Sequence, residues 1–133
     1  MAAQSQSEVK KAHSKEFGGF ADYYHHSLYG QRTASGQVLK KDLLTAAHRT
    51  LPFGTRVHVR NKRTGKSCIV VINDRGPYTR SKVIDVSHAA ASQLGLIQTG
   101  TADVACTVLK DGEMLPGKKA VNMDAAAPTS EED

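Results

Sequence analysis

The chain has 133 residues, a hydrophobic fraction of 39% and a formal net charge of +5. This length predicts one domain with one core, and the lack of a long apolar run excludes a membrane-spanning helix. The basic balance favours an anionic partner, and the polar opening MAAQSQSEVKK does not resemble a secretory signal peptide.

Both ends of the chain are predicted to be flexible tails. Residues 1–16 are mostly polar and show no periodicity, and residues 111–133 end in the small and acidic run AAAPTSEED. Such segments rarely bury enough apolar surface to offset their chain entropy. The folded domain is therefore predicted to cover residues 17–110.

Short strands separated by turns account for most of this domain. In TRVHVRN, Val57 and Val59 alternate with basic residues, which is the period of a half-buried strand. That strand and the apolar CIVVIN after it are predicted to form a hairpin around the turn at Gly65. In chain order the candidate strands are 19–24, 42–48, 55–61, 68–73, 82–87 and 103–109.

One short helix is predicted over residues 88–94. Ser87 is a suitable N-cap, HAAASQL contains good helix formers, and Gly95 fits the position just past the end. Many short strands with one small helix indicate a mainly β fold, either a closed barrel or a sandwich.

Two aspartates are the leading candidates for chemistry. Asp74 follows the strand 68–73 and opens the turn DRGPY, where a rigid strand end would present a carboxylate to a ligand. The alternative is a turn residue that bonds its own backbone. Asp85 lies among apolar residues, so it needs hydrogen-bond donors or a cation nearby. It is either a structural acid or a group with a raised pKa and a chemical role.

Two loops carry further polar candidates. The stretch RTASGQ ends in Gln37, and its small residues would let a polymer approach the backbone, although an ordinary surface loop reads the same way. His48 precedes a Pro-Gly turn in AAHRTLPFGT, where it serves the structure, orients a carboxylate or bonds a sugar hydroxyl. The histidines and cysteines follow no metal-binding spacing, so no metal and no cofactor is expected.

The basic hairpin and the two cysteines leave alternatives open. Basic residues at Arg56, Arg60, Lys62, Arg63 and Lys66 favour a solvated face, and nucleic acid is not the expected partner because aromatic residues are few. Cys68 and Cys106 both lie in strand-like stretches. They are either two small buried residues or one disulfide.

The order and spacing of these motifs resemble a known family. GFADYY, TASGQ, TAAHRTLPFGT, NDRGP and IDVSHAAASQLGL resemble the catalytic domain of the rare lipoprotein A (RlpA) family over residues 18–109. The resemblance implies a six-stranded double-psi β-barrel with one or two short helices. It also implies a septal lytic transglycosylase of Gram-negative bacteria, located in the periplasm or cell envelope, a setting that favours the disulfide.

The family activity implies a substrate and a set of site residues. Family members cut the β-1,4 bond between N-acetylmuramic acid and N-acetylglucosamine, often in peptide-poor glycan strands, and leave 1,6-anhydro ends. By position the resemblance implies catalytic roles for Asp74, His48 and Asp85. The substrate-binding candidates are Gln37, Ser35, Arg75, Tyr24 and Arg49. The expected partners are glycan strands and septal division proteins, and the expected state is a monomer.

Position 37 departs from the family pattern, which usually has glutamate there. Glutamine cannot act as an acid or a base, so a hydrolase that uses Asp74 and residue 37 as its two carboxylates is excluded. A transglycosylase needs only one carboxyl group, because its nucleophile is a hydroxyl of the substrate itself. The alternative is an expansin-like module that binds glycan without cutting it.

Overall fold

The computed structural model describes residues 15–110, which form a closed six-stranded β-barrel. The strands are β1 (Lys15–Tyr23), β2 (Thr45–Ala47), β3 (Arg56–Asn61), β4 (Ser67–Asp74), β5 (Lys82–Val86) and β6 (Ala102–Leu109). The helix α1 spans His88–Leu94, and a single 3-10 turn spans His26–Leu28. The predicted mainly β barrel with one or two short helices is confirmed.

Each predicted strand is present, with bounds within one residue of the prediction except at β1 and β2. β1 begins at Lys15, four residues before the predicted start, because its backbone pairs with β6 from Lys15 to Ala21. β2 has only three residues, Thr45–Ala47. Lys15 and Glu16 are therefore strand residues rather than part of the predicted tail, and the rest of both predicted tails lies outside the described residues.

The strand order differs strongly from the chain order. Around the barrel it reads β1-β5-β2-β4-β3-β6, so the short β2 lies between β4 and β5. β1 pairs with β5 and β2 with β4 in parallel, whereas the other four pairs are antiparallel. In the closed barrel of residues 15–110 each strand therefore has a neighbouring strand on both sides. Among residues 15–110 no helix has the length and apolarity that crossing a membrane requires.

Strand alternation sends one set of side chains into the barrel. The predicted inward residues Val57 and Val59 are fully buried, together with Val70 and Ile72 of β4. The helix α1 covers this core with Ala90, Ala91 and Leu94. Both predicted caps are confirmed, since the Ser87 hydroxyl accepts from Ala90 N and Gly95 adopts a φ of 75°.

The cysteines form no disulfide, so the pairing that the expected location favoured is wrong. Cys68 and Cys106 are free and buried in the same core. Both residues are in register with Val59, one on each side of β3. Two interstrand spacings separate them by about 10 Å along the sheet, whereas a disulfide joins Cα atoms roughly 4.4–6.8 Å apart.

We expect both thiols to resist modification in the folded chain. Burial raises the pKa of Cys68 and of Cys106 to about 12, which leaves almost no thiolate near neutral pH. A thiol-exchange reagent at about pH 8 should react at least a hundredfold more slowly with the folded chain than with the chain in urea. Rapid labelling of either thiol under native conditions would contradict this burial.

Candidate active site

Four residues in register form a row across the outer face of β1, β5, β2 and β4. Asp22 pairs with Asp85, Asp85 with Ala47, and Ala47 with Asp74. Their neighbours Ala21, Ala46, Ile84 and Val86 belong to the barrel core, so alternation turns this row outward. We call Asp22, Asp85 and Asp74 the acidic row. Asp74 and Asp85 flank Ala47, which places their Cα atoms about 10 Å apart.

A β-bulge brings two consecutive polar side chains to this face. β2 and β4 pair Ala46 with Ile72 and then Ala47 with Asp74, so Asn73 is the additional residue. Such a bulge re-aims side chains that strict alternation would place on opposite faces. Asn73 Nδ2 accordingly donates to Gln37 Oε1 at 3.1 Å, in the loop that covers the outer face.

The Asp74 carboxylate is half-buried and held by three donors. Its Oδ2 accepts from Tyr24 OH at 2.8 Å, and its Oδ1 accepts from the backbone N–H groups of Ala34 and Arg75, each at 2.8 Å. Tyr24 and Ala34 are 50 and 40 residues away in the chain. Asp74 therefore does more than bond its own turn, because it fastens the loop between β1 and β2 to the end of β4.

Tyr24 is the buried partner of this carboxylate. Burial raises the pKa of its phenol well above the usual range, and the hydrogen bond and charge of Asp74 raise it further. Tyr24 therefore remains protonated and donates to Asp74 at any pH relevant to activity. Its ring packs with Leu39 and Ala47 in a small apolar cluster outside the main core.

Asp85 occupies a different electrostatic setting from Asp74. Burial, followed by the charge of Asp22, raises the pKa of Asp85 to about 6, although Lys82 and Arg49 oppose the shift. Lys82 Nζ bonds Asp22 Oδ2 at 2.8 Å, so its charge is directed mainly to that neighbour. Asp85 thus changes its charge close to neutral pH, within the acidic row.

His48 supports Asp74 through the main chain. Its Nδ1 accepts from the N–H groups of Thr50 and Leu51, both at 3.1 Å, which assigns the ring proton to Nε2. Burial lowers the pKa of His48, and Arg49 and Arg75 add to the effect. His48 N donates to Asp74 O at 3.2 Å. The neutral ring therefore shapes the 48–51 turn, and the backbone joins that turn to the acid.

Both arginines predicted to bind substrate also brace loops. Arg49 donates to the carbonyls of Pro77 and Lys82 at 2.7 and 3.0 Å. Arg75 donates to the carbonyls of His48 and Leu51 at 3.1 and 2.8 Å, and its guanidinium lies 4.1 Å from the centre of the Phe53 ring. Each keeps its positive charge beside the site while fixing the adjacent backbone. Their contact with substrate stays a prediction.

Ser35 and Gln37 dock the TASGQ loop against the end of β4. Ser35 N donates to Asn73 O at 3.4 Å, and Ser35 Oγ accepts from Gln37 N at 3.3 Å. Gln37 is exposed apart from its bond to Asn73. Position 37 thus lies one hydrogen bond from the residue that precedes the acid.

The structure adds residues that the sequence analysis missed. A cleft of about 440 Å³ lies between this loop and the outer face of β2 and β4. It is lined by the apolar residues Val38, Leu43 and Val71 and by the polar residues Gln37, Lys40, Thr45 and Asn73. One sequence feature could have predicted Thr45 and Asn73. Each is a polar residue at the end of an apolar strand, in TAA and in CIVVIN.

The raised pKa of Asp85 predicts a pH-dependent stability. Between about pH 4 and pH 6 the folded state keeps a proton that the unfolded state releases, so this group stabilises the fold at low pH and the contribution is lost as pH rises through about 6. Urea unfolding measures this contribution. The free energy of unfolding of the parent chain minus that of Asp85→Asn should fall as the pH rises through this range.

Asp103→Asn is the matched control. Asp103 is an exposed aspartate of β6 that pairs with Lys62 and lies outside the acidic row. It should not reproduce the dependence on pH. A difference between parent and Asp85→Asn that is flat or rises with pH would contradict the burial of Asp85.

Comparison with known proteins identifies the family. The model of a family described as lytic transglycolase matches residues 21–106. A probable endolytic peptidoglycan transglycosylase RlpA of Synechocystis sp. is 50% identical over 93 residues, which are 70% of this chain and 29% of that protein. The endolytic peptidoglycan transglycosylase RlpA of Pasteurella multocida is 45% identical over 95 residues, which are 71% of this chain and 32% of that protein.

The chain thus spans about a third or less of the length of these two relatives. Among solved structures, apo expansin of Clavibacter michiganensis has a TM-score of 0.60 at 16% identity, over 75% of this chain and 53% of the expansin. That similarity concerns the barrel fold alone. The chain belongs to the lytic transglycolase family of RlpA-type double-psi β-barrel proteins.

Proposed function

We propose that this domain is an endolytic peptidoglycan lytic transglycosylase with Asp74 as its acid and base. The observation that carries the proposal is the placement of Asp74 at the end of β4, where three donors orient its carboxylate and the preceding residue, Asn73, lines a cleft. The names of the relatives support peptidoglycan as the substrate. The bond cut is the β-1,4 linkage from N-acetylmuramic acid to N-acetylglucosamine.

One carboxyl group suffices for the proposed reaction. Protonated Asp74 gives its proton to the glycosidic oxygen as the bond from muramic C1 to that oxygen breaks. The C6 hydroxyl of the same muramic acid then attacks C1, and Asp74 takes the hydroxyl proton. The products are a free hydroxyl on the leaving sugar and a 1,6-anhydro end. No water is consumed, since the nucleophile is already part of the substrate.

The other candidate residues take supporting roles in this proposal. Asp85, with its pKa raised to about 6, limits the negative charge of the acidic row when it is protonated. His48 fixes the strand end that carries Asp74 through its backbone N–H. Gln37 holds Asn73 next to the acid and takes no proton. Because the proposed substrate lies in the cell envelope or periplasm, septal division proteins are the proposed partners.

An exposed aromatic residue offers a binding surface beside the acid. Tyr78 lies in the loop after β4, four residues beyond Asp74, and its side chain is 83% exposed. A solvent-facing ring of this kind can stack on the apolar face of a sugar. The charges of Arg49 and Arg75 favour glycan strands whose lactyl carboxylates are free of peptide.

A second candidate is a glycan-binding module without catalysis. It is favoured by Gln37, which leaves position 37 without a proton to exchange. It requires the same cleft but no turnover, so product analysis separates the two proposals.

We expect the parent chain to release anhydro-ended fragments from peptide-free glycan strands and Asp74→Asn to release none. The asparagine oxygen can still accept from Ala34 N and Arg75 N, so the loop should stay docked. Gln37→Glu should retain activity, since a glutamate oxygen can replace Gln37 Oε1 as the acceptor for Asn73. Mass spectrometry distinguishes anhydro ends from hydrolysed ends, which carry one additional water.

Binding of the same strands serves as the control for folding and recognition. If the parent and Asp74→Asn both bind glycan and neither releases fragments, the result favours the binding module over the enzyme. Fragments that carry an additional water, or equal activity in Asp74→Asn, would contradict the mechanism.

The Tyr24–Asp74 hydrogen bond predicts a positioning role for the phenol. Tyr24→Phe keeps the buried ring but removes the donor to Asp74 Oδ2. We expect kcat to fall about tenfold, the size of one lost hydrogen bond to a charged group, with KM nearly constant.

Tyr23→Phe provides the matched control, since Tyr23 OH bonds Ile97 O at 3.3 Å on the other face of β1. It removes the same hydroxyl one residue earlier and should leave both kcat and KM unchanged. An unchanged kcat in Tyr24→Phe would show that Tyr24 acts only as a packing residue.

A further inference from the structure

Two buried oxygens in the cleft beside Asp74 have no hydrogen-bond partner. Within residues 15–110, Thr45 Oγ1 and Asn73 Oδ1 are both buried and unpaired. Thr45 is 8% exposed and Asn73 is 4% exposed, and both residues line the cleft of about 440 Å³. Buried polar groups in folded proteins are nearly always paired, so two unpaired oxygens in one cleft indicate a missing polar partner.

The arrangement of these groups follows from the register. Thr45 pairs with Val71, and Asn73 is the bulge residue two positions further along β4. All three side chains therefore face the covering loop, whereas Ala46, Val70 and Ile72 fill the barrel. The cleft combines two hydrogen-bonding atoms with the apolar surfaces of Val38, Leu43 and Val71.

We propose that this cleft binds the C2 acetamido group of an N-acetylated sugar, with Thr45 and Asn73 pairing its carbonyl and its N–H. An acetamido group presents one acceptor, one donor and one methyl group. Asn73 Oδ1 accepts from the ligand N–H, the Thr45 hydroxyl donates to the ligand carbonyl, and the methyl lies against the valine and leucine walls. The inference rests on the proposed function, since it specifies how that substrate is selected.

The match does not depend on the orientation assigned to the Asn73 amide. Exchanging nitrogen and oxygen in both Asn73 and Gln37 preserves their mutual hydrogen bond and leaves an unpaired donor on Asn73. The Thr45 hydroxyl can accept as well as donate. The pair then donates to the carbonyl and accepts from the N–H, so the same ligand satisfies both arrangements.

The location suits the sugar whose bond is cut. Asn73 immediately precedes Asp74, so their Cα atoms are about 3.8 Å apart. In the substrate the acetamido carbon C2 is bonded to C1, the carbon of the scissile bond. A cleft of about 440 Å³ is within the range of small-ligand sites, roughly 300–1,000 Å³. It can therefore take the acetamido group together with part of its ring.

The test compares two neutral oligosaccharides that differ at C2. Chitotetraose carries acetamido groups where cellotetraose carries hydroxyls, and both have β-1,4 linkages. Calorimetric titration of the intact chain should give chitotetraose an affinity at least about tenfold higher. Thr45→Val should lower the chitotetraose affinity about fivefold, the size of one neutral hydrogen bond, and leave that for cellotetraose unchanged.

Thr107→Val is the matched control, because Thr107 lies on β6, three strands from β2 around the closed barrel. It should change neither affinity. Thr45→Val should also raise the midpoint of thermal unfolding, since it removes an unpaired buried hydroxyl. Methyl NMR signals of Val38, Leu43 and Val71 should shift with chitotetraose and not with cellotetraose, which locates the ligand independently of any substitution.

Equal affinities of the parent chain for the two sugars would overturn the acetamido assignment. A Thr45→Val variant that loses affinity for both sugars equally, or that keeps its chitotetraose affinity, would overturn it as well. These results leave the proposed reaction intact if peptide-free strands still yield anhydro ends. Failure of the intact chain to bind or cleave any glycan would overturn the proposed function and this inference together.

Discussion

The pairing of β2 between β4 and β5 is the constraint on which the site depends. β2 has three residues, yet Ala47 is in register with Asp74 on one side and Asp85 on the other. β2 thus places on one face two acids that lie eleven positions apart in the chain. Further backbone bonds at its ends, from Val71 N to Leu44 O and from Ser87 N to Thr45 O, lock this register. Without it Asp74 would not join Asp22 and Asp85 in the acidic row.

Asp74 is part of both the fold and the proposed chemistry. Its carboxylate fastens the loop between β1 and β2 through Tyr24 and Ala34, and the same loop forms one wall of the cleft. A group held by donors from distant segments has a fixed orientation, which favours proton transfer to a bound substrate. The orientation of the acid and the shape of the cleft are therefore set by the same hydrogen bonds.

Several basic residues around the site have structural roles. Arg49 and Arg75 donate to backbone carbonyls around the site, and Lys82 pairs with Asp22 in the acidic row. These contacts hold the loops before β3 and β5 in place. A basic composition alone could not distinguish this arrangement from an unspecialised solvated surface.

The sequence by itself determined the elements and the candidate acids. Strand alternation in TRVHVRN and the caps around HAAASQL are local signals, and the motif order around Gln37, His48, Asp74 and Asp85 carried the family resemblance. The tertiary structure alone decided which side chains meet. The bulge at Asn73, the unpaired oxygens of Thr45 and Asn73, the engaged arginines and the separation of Cys68 from Cys106 all follow from register and barrel closure. Those depend on pairing between strands distant in the chain, which no local pattern of residues encodes.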